Sequence, residues 1–473
     1  MKYALLATIF VPLLGAFLLP LAGFLSARLR NLLSLALVLC AFVCSCLLIP
    51  SALSGTTVTI SHAFGLGLNL SFAADGLAVF MAAVSSFLSA IIVFYSLGYI
   101  SHYKNQSEYY FMVVLFLGAM MGLVFSRNLI LLYLFWEITA ITSWRLIGFF
   151  REKDYLARAD KAFMVTVFGS LLMLIGFISI YQQTGTFELT PGTALPNVAV
   201  LLILCGIFSK SATLPFHTWL PDAGVAPSPV TALLHAAILV KIGLYVYARL
   251  FVATYLINPD WHVIVPVVAA VSSLVSAGAA LIETDLKRII AYSTVSQIGF
   301  IFFGLSIGNE VGVTGGLLFI LMHGISKAGL FLCAGIIEQK THVRDITKLG
   351  GLIKAMPVTA VSFLFCAASV MGIPPFGGFF SKYLVFAGGI ASGQLWITVT
   401  FLVGAFLTLA YLLRVFIIVF LGDECACAKK EGDAGMVFSV GLLAALSLVS
   451  GLAVNFLYNF AHSATAQMMA SIK

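Results

Sequence analysis

The chain consists of long apolar stretches separated by short polar connections. Fourteen stretches have about 20 mostly apolar residues, which is the length that a helix needs to cross a membrane. They cover residues 3–22, 31–50, 77–97, 109–126, 128–149, 161–181, 197–219, 228–251, 262–282, 286–306, 313–337, 356–389, 396–421 and 436–460. We therefore expect an all-α, polytopic membrane protein of about 14 transmembrane helices, numbered in this order as helices 1 to 14.

Basic side chains alternate between the two sides of this predicted bundle. They lie in or next to the connections that follow helices 1, 3, 5, 9, 11 and 13, whereas the long connections 51–74 and 182–196 contain none. Because Lys and Arg are retained on the cytoplasmic side, the pattern predicts a multi-pass protein of the cell inner (cytoplasmic) membrane with both termini on the non-cytoplasmic side. The connection 220–227 departs from the pattern, since it should be cytoplasmic and has no basic residue.

Composition narrows the class of protein further. Of the 473 residues 61% are hydrophobic and 9% are charged, against roughly 25% charged in a soluble domain. This excludes a water-soluble enzyme, and the net charge of +7 is explained by topology without any nucleic-acid partner. The sequence contains no glycine-rich phosphate-binding loop. The eight cysteines, including Cys425 and Cys427, are interpreted as packing residues, so we expect no metal site and no cofactor on this chain.

A few ionisable residues lie within the predicted spans. They are Glu137, Lys210, Lys241, His323, Lys327 and Lys382, with His217 and His235. Glu137, Lys210, Lys241 and Lys327 lie about 12 to 21 Å deep in a core of about 30 Å. A charge at such depth costs about 2.5 to 3.5 kcal/mol, so these side chains must face a protein interior or a wet cavity.

The buried lysines outnumber the available carboxylates. A single lysine could simply pair with an acid and clamp two helices, but four lysines share one clear carboxylate, Glu137. Burial disfavours the charged form of an unpaired amine, which suits such lysines to exchange protons. His323 and Lys327 are four residues apart and share a helix face, so a proton could pass between them directly or through one water. His235 fits a hydrogen-bonded core histidine as well as a relay, and His217 fits a structural or gating role.

Prolines next to two of the lysines predict broken helices. Pro215 follows Lys210 by about one turn, whereas Pro374 and Pro375 precede Lys382. Proline cannot donate the backbone hydrogen bond of a helix interior, so helices 7 and 12 should be interrupted. These helices cross the membrane in opposite directions, as an inverted-topology repeat requires.

Several motifs resemble a known family. They are SKSATLPFHTWLPDA at 209–223, PSPVTALLHAA at 227–237, WE at 136–137, DLKRIIAYSTVSQIG at 285–299, HGISKA at 323–328 and GIPP at 372–375. Over residues 75–421 the chain resembles the antiporter-like proton-pumping subunits of respiratory complex I, of Mrp-type cation/proton antiporters and of membrane-bound hydrogenases.

The resemblance implies a domain organisation. It implies two inverted five-helix repeats, helices 4–8 within residues 109–255 and helices 9–13 within residues 256–421. Helices 1–3 within residues 1–108 and helix 14 within residues 422–473 would flank them.

It also implies roles along a polar axis at the bilayer midplane. Glu137 matches the glutamate of helix 5, Lys210 and Lys382 match the lysines of the broken helices, and Lys241 and His323 with Lys327 match relay positions. Two features depart from the best-known members: residues 167–170 lack an acidic partner in helix 6, and Trp144-Arg145 replaces an apolar pair. We also expect no long lateral helix after helix 14, so that the chain would look like the shorter siblings.

From these observations we expect a proton-translocating subunit of a multisubunit, redox-driven complex. Its partners would be other membrane subunits, including further antiporter-like ones, and indirectly peripheral redox subunits. Any redox chemistry and its cofactors would belong to those partners. Two alternatives stay open: a Na+/H+ antiporter module of Mrp type, and a non-transporting membrane scaffold for a soluble enzyme.

Overall fold

The computed structural model describes residues 1–63, 69–425 and 429–471, and it is dominated by long helices. Helix 1 is a bent pair, Lys2–Gly15 and Leu18–Leu25, with an angle of 52° between its parts. The continuous spans are helix 2 (Ala27–Leu53), 3 (Gly76–His102), 4 (Gln106–Phe125), 5 (Leu129–Ile147), 6 (Lys153–Thr184), 8 (Ser228–Val252), 9 (Trp261–Ile282), 10 (Leu286–Ser306), 11 (Glu310–Thr341) and 13 (Leu395–Leu421). The strands within the described residues form one antiparallel pair, Val58–Ala63 and Asn69–Ala74, between helices 2 and 3.

Helices 7 and 12 are broken, as the prolines predict. Helix 7 runs over Asn197–Lys210, loses helical form, and resumes as the single turn Trp219–Asp222. Helix 12 consists of Pro357–Met371 and Gly377–Ala391. Within the described residues, 11 helices are long and apolar enough to cross a membrane, or 12 with the bent pair. The two broken helices bring the number of spans to the expected fourteen, whereas the repeat boundaries stay a prediction.

Helix 14 differs from its prediction. The apolar pattern predicts it over residues 436–460, but it comprises Ala434–Leu452 and Val454–Ala470 and is interrupted at Ala453. The interruption lies beside the break of helix 12, where the Pro375 carbonyl packs so closely against Gly451 that no side chain would fit there. The interruption thus coincides with a tertiary contact between two backbones, which a hydropathy pattern does not report.

Helices 8 and 11 form the centre of the bundle. The most apolar 18-residue window of each is completely buried, and the corresponding window of helix 10 is 94% buried. The outer helices 2, 6 and 13 bury only 33 to 39% of theirs. A helix that is apolar on all sides is expected in such a central place. Polar side chains on helices 8 and 11 therefore face protein and not lipid.

Ion pairs hold the end of the bundle that carries most of the basic residues, called the basic end below. Asp222, at the end of helix 7, binds both Lys161 of helix 6 and Arg288 of helix 10 at 2.7 Å. Arg145, whose role the sequence left open, pairs with Glu108 of helix 4. These contacts show that some basic residues at this end also join neighbouring helices.

The interpretation of all cysteines as packing residues is wrong for Cys425, which is disulfide-bonded. Cys427 lies outside the described residues. The other six thiols are free and lie within helices, and two of them, Cys333 and Cys366, are fully buried. A hydropathy argument could not separate Cys425 from these, because it considers only the apolar character of the side chain.

A nearly buried ion pair joins helices 3 and 8 at the opposite end of the bundle. Asp75 caps helix 3 by accepting a hydrogen bond from the Ala78 amide at 3.0 Å. The Arg249 guanidinium binds both Asp75 carboxylate oxygens, at 2.6 and 2.7 Å. Burial alone would raise the pKa of Asp75, but the charge and hydrogen bonds of Arg249 hold that pKa below its usual value.

Replacing Asp75→Asn should lower the thermal stability of the detergent-solubilised protein at neutral pH. Removing one partner of a buried pair costs about 3 to 5 kcal/mol, because the other charge is left uncompensated. Since the folded-state pKa of Asp75 is lowered, the pair stabilises above the unfolded value of about 3.9 and is lost as pH falls through the folded value. The difference in melting temperature between wild type and Asp75→Asn should thus be large at neutral pH and shrink in acid. Equal melting temperatures at pH 7 would contradict this account.

Candidate functional site

Four lysines are buried in the interior of the bundle. Lys210, Lys241 and Lys327 have no exposed surface, and Lys382 is 3% exposed. Among the described residues none of them forms an ion pair; the ion pairs that are present involve other basic residues. The sequence predicted such unpaired lysines, because the spans contain four lysines and only one clear carboxylate. Something other than a carboxylate must stabilise these amines when they are charged.

Backbone carbonyls provide that stabilisation, because each of the four amines donates a hydrogen bond to one. The pairs are Lys210 Nζ to Trp136 O at 3.2 Å, Lys241 Nζ to His235 O at 3.0 Å, Lys327 Nζ to Ile290 O at 3.2 Å, and Lys382 Nζ to Val370 O at 2.8 Å. A hydrogen bond to a charged group contributes about 1.5 to 3 kcal/mol. The carbonyl dipoles thus stabilise the charged amines in place of carboxylate counterions.

Irregular helix geometry makes two of these carbonyls available. His235 lies in a π-helical turn, Leu233–Ala237, inside helix 8. Val370 lies in the last turn before the break of helix 12, where carbonyls have no partner within the helix. Lys210 ends the first half of helix 7, and the negative end of a helix dipole favours a cation there. The broken helices therefore help to stabilise charge and do more than interrupt the spans.

Aromatic rings cover the two outer amines. Lys210 Nζ lies 5.2 Å from the centroid of the Trp136 ring. Lys382 Nζ lies 4.6 Å from that of Phe300 and 5.7 Å from that of Phe319. A cation over an aromatic face within about 6 Å is attracted by the ring. These rings favour the charged lysines without adding a competing proton acceptor.

His323 links helices 8 and 11 at the centre of the bundle. Its Nδ1 lies 2.9 Å from Lys241 Nζ, which joins helix 11 to helix 8. The sequence suggested that a proton could pass between His323 and Lys327 directly or through one water. The hydrogen bonds of the Lys327 amine go to Ser293 Oγ at 2.5 Å and to Ile290 O, and the step through water stays a prediction. The long lysine side chain reaches helix 10, whose hydroxyl and carbonyl groups bind it.

Glu137 is close to Lys210 in space but is not paired with it. Lys210 binds the carbonyl of Trp136, the residue before Glu137, and no ion pair joins Glu137 to it in the described part of the chain. One carboxylate oxygen of Glu137 is buried without a hydrogen-bond partner there. Leu134 and Ile141 of the same helix are each 50% exposed, so Glu137 lies near the outer surface of the bundle.

His235 and His217 also carry buried polar atoms without partners. Neither ring nitrogen of His235 has a hydrogen bond to any described residue, and its ring packs 4.5 Å from that of Phe331. His235 is thus not held by hydrogen bonds to its ring, as a structural core histidine would be. His217 lies half-buried in the break of helix 7 with its Nδ1 unpartnered. Buried polar atoms are normally satisfied, so these atoms mark places for water.

Sequence reasoning missed the hydroxyl and amide groups around Lys327. Ser293 accepts hydrogen bonds from both Lys327 and the Tyr411 hydroxyl, and Gln297 donates to Thr408. An inventory of ionisable groups passes over serine, tyrosine, threonine and glutamine. Their occurrence inside apolar spans was the available signal, but side chains of this kind are common in membrane helices.

With this geometry in place, comparison with known proteins gives the class. The model of the transmembrane family "NADH:quinone oxidoreductase/Mrp antiporter" matches residues 126–408, and that of the complex I chain 5 N-terminus matches residues 61–110. The chain therefore belongs to the NADH:quinone oxidoreductase/Mrp antiporter family and is an antiporter-like, multi-pass membrane protein.

Individual relatives come from antiporters and from a respiratory complex. The chain is 35% identical to a Na(+)/H(+) antiporter subunit of Alkalihalophilus pseudofirmus, over 94% of this chain and 60% of that protein. It is also 35% identical to a Na(+)/H(+) antiporter subunit of Staphylococcus haemolyticus, over 86% of this chain and 55% of that protein. The chain thus spans little more than half the length of these relatives.

Solved structures share the fold. A chain of the Mrp complex from Dietzia sp. DQ12-45-1b superimposes with a TM-score of 0.91 at 24% identity. A chain of the membrane-bound sulfane sulfur reductase, an archaeal respiratory membrane complex, gives 0.90 at 23%. Both matches cover all of this chain and all of the other, so the fold is common to the two kinds of complex.

A high-resolution cryo-EM map should show ordered water next to the buried, unpartnered nitrogens. We expect density within about 3 Å of His323 Nε2 and of both His235 ring nitrogens, since buried polar atoms are normally satisfied by protein or by ordered water. The fully apolar contact between Phe303 and Phe401, whose rings stack at 4.6 Å, provides a dry reference in the same map. A dry environment at both histidines would show that no continuous wet path crosses the centre.

Proposed function

We propose that this chain is a proton-translocating subunit of a multisubunit membrane complex. Protons would move along Glu137, Lys210, Lys241, His323, Lys327 and Lys382, with His235 as a possible further relay and His217 at the opening of the helix 7 break. The single observation that carries the proposal is the row of four buried lysines that bind carbonyls and no carboxylate among the described residues. A scaffold without transport has no need of such costly groups.

The strength of these contacts is matched to the work of transport. Moving one charge across 100 mV requires about 2.3 kcal/mol. One hydrogen bond between a charged amine and a carbonyl contributes about 1.5 to 3 kcal/mol. The free energy of making or breaking one such hydrogen bond is therefore comparable with the free energy of moving one charge across the membrane. A small shift at a helix break would be enough to change which lysine holds a proton.

Glu137 is the group through which a neighbouring protein would act. It lies near the outer surface of the bundle with one carboxylate oxygen unpartnered among the described residues, one residue from the carbonyl that binds Lys210. A charge brought up by a partner would move the carboxylate toward or away from the amine, and an opposite charge at close range favours the protonated lysine. We propose other membrane subunits, including antiporter-like ones, as these partners.

The proposal includes a location and an assignment of cofactors. The alternation of basic connections supports an inner (cytoplasmic) membrane protein with both termini on the non-cytoplasmic side. The part of the chain that the structure describes contains no group of three or more His, Cys, Asp or Glu side chains that could hold a metal. We assign redox cofactors, where the host complex uses them, to partner chains as part of this proposal.

Two kinds of complex could contain this chain, a redox-driven complex and a Na+/H+ antiporter of Mrp type, and one observation favours the antiporter. The curated relatives at 35% identity are named Na(+)/H(+) antiporter subunits, whereas a redox-driven complex is represented by a structure at 23% identity. A hard cation prefers several oxygen ligands, yet the carbonyls of this axis are bound to amines. We therefore assign H+ to this axis in either host and place any Na+ path elsewhere in the complex.

Lys210→Ala or Lys382→Ala should abolish proton flux in vesicles that contain the assembled complex. Each change removes one proton carrier from a row that has no parallel lysine among the described residues. Lys354→Ala is the matched control, because Lys354 is an exposed lysine that pairs with Glu424 at the surface, and its flux should stay at the wild-type level. Wild-type flux in either axis variant, with the chain present in the complex, would refute the relay.

Varying Na+ at fixed pH separates the two hosts. An antiporter should move protons only in exchange for Na+, so that flux rises with the Na+ gradient and needs no electron donor. A redox-driven complex should move protons when its electron donor is added and should be insensitive to Na+. The measurement is internal pH in vesicles, reported by a fluorescent dye, with K+ in place of Na+ as the control.

A further inference from the structure

Lys327 has a second hydrogen-bonded contact that the row of lysines does not use. Its amine donates to Ser293 Oγ at 2.5 Å, and the Tyr411 hydroxyl donates to the same oxygen at 2.7 Å. All three side chains are fully buried. They come from helices 11, 10 and 13, so this chain of hydrogen bonds leaves the axis sideways.

The contact leads sideways between helices. Ser293 is about 10 Å along helix 10 from its start at Leu286, and Tyr411 is about 15 Å along helix 13 from its end at Leu421, at 1.5 Å per residue. Both of those helix ends adjoin the basic connections, so the tyrosine lies no nearer to the basic end than the serine does. The pair therefore extends from the axis between helices 10 and 13, within the membrane.

A polar group beyond the tyrosine indicates a place for water. Gln297 and Thr408 lie against the Tyr411 phenol, and Gln297 donates to Thr408 at 3.1 Å. The Gln297 carbonyl oxygen is buried and has no partner among the described residues. A buried amide oxygen in this state is normally satisfied by an ordered water. Such a water would lie next to the phenol.

We propose that Tyr411 and Ser293 form a proton relay between this water and Lys327. When Lys327 is neutral, the Ser293 O–H bond breaks as an N–H bond forms on the amine. The Tyr411 proton passes to Ser293, and the water beside Gln297, when it carries an excess proton, gives that proton to the phenolic oxygen and is left neutral. The reverse sequence returns the proton, so the relay exchanges protons between Lys327 and this water.

This inference rests on the proposed function, and a matched pair of variants tests it. Tyr411→Phe removes one hydroxyl from the relay. Tyr109→Phe removes one from an equivalent pair, since Tyr109 is buried and its hydroxyl lies 2.7 Å from Ser96 Oγ, but Ser96 contacts no lysine in the described residues. Both variants would be measured in the assembled complex in vesicles, with Lys327→Ala alongside.

Tyr411→Phe should lower proton flux by at least about tenfold, given what a positioned acid or base contributes, while Tyr109→Phe leaves it unchanged. Site-specific 3,5-difluorotyrosine at position 411 keeps the hydroxyl and makes it more acidic. It should therefore move the pH profile of the flux to lower pH. A merely structural phenol would leave that profile in place.

The outcomes separate the two claims. Wild-type flux in Tyr411→Phe, or an unmoved pH profile with the fluorinated residue, overturns the relay while loss of flux in Lys327→Ala leaves the proposed function intact. Wild-type flux in Lys327→Ala overturns the proposed function itself. If Tyr411→Phe fails to assemble, the fluorinated protein alone decides, because it retains every contact of the native side chain.

Discussion

The interaction on which this protein depends is the hydrogen bond from a buried lysine amine to a backbone carbonyl. A carboxylate would stabilise the same amine more strongly, but it would also retain the proton. A carbonyl stabilises the charge and accepts no proton at any ordinary pH, so the amine can release its proton without leaving a second titrating group behind. The helix breaks and the π-helical turn of helix 8 make such carbonyls available in the middle of a membrane protein.

The architecture follows the same constraint. Helices 8 and 11 carry polar side chains and are therefore surrounded by the other spans, while helices 2, 6 and 13 meet lipid with apolar faces. A charged group that faced lipid would have no dipole to bind, and its cost would not be offset. The outer helices thus provide the low dielectric around the axis, and the ion pairs at the two ends of the bundle, such as that between Asp75 and Arg249, hold helices together where water is available.

Much of this could be predicted from the sequence, because the strongest signals are local. Runs of apolar residues set the spans, Pro215 and Pro374 set the breaks in helices 7 and 12, and the excess of lysine over glutamate predicted unpaired amines. The missed features are tertiary. The break of helix 14 lies where it packs against helix 12, and the hydrogen bond of His323 to Lys241 joins two different helices. The disulfide of Cys425 also lay beyond reach, since apolar character alone does not report the pairing of thiols.

The contact between Lys241 and His323 limits what the centre of the molecule can carry. A charged lysine there has to donate to His323 Nδ1, and this is possible only while that nitrogen has a free lone pair and the imidazole is neutral. A charged imidazole would in turn require a neutral amine. This junction between helices 8 and 11 therefore accommodates one positive charge at a time, and under the proposed function successive protons would cross it in single file.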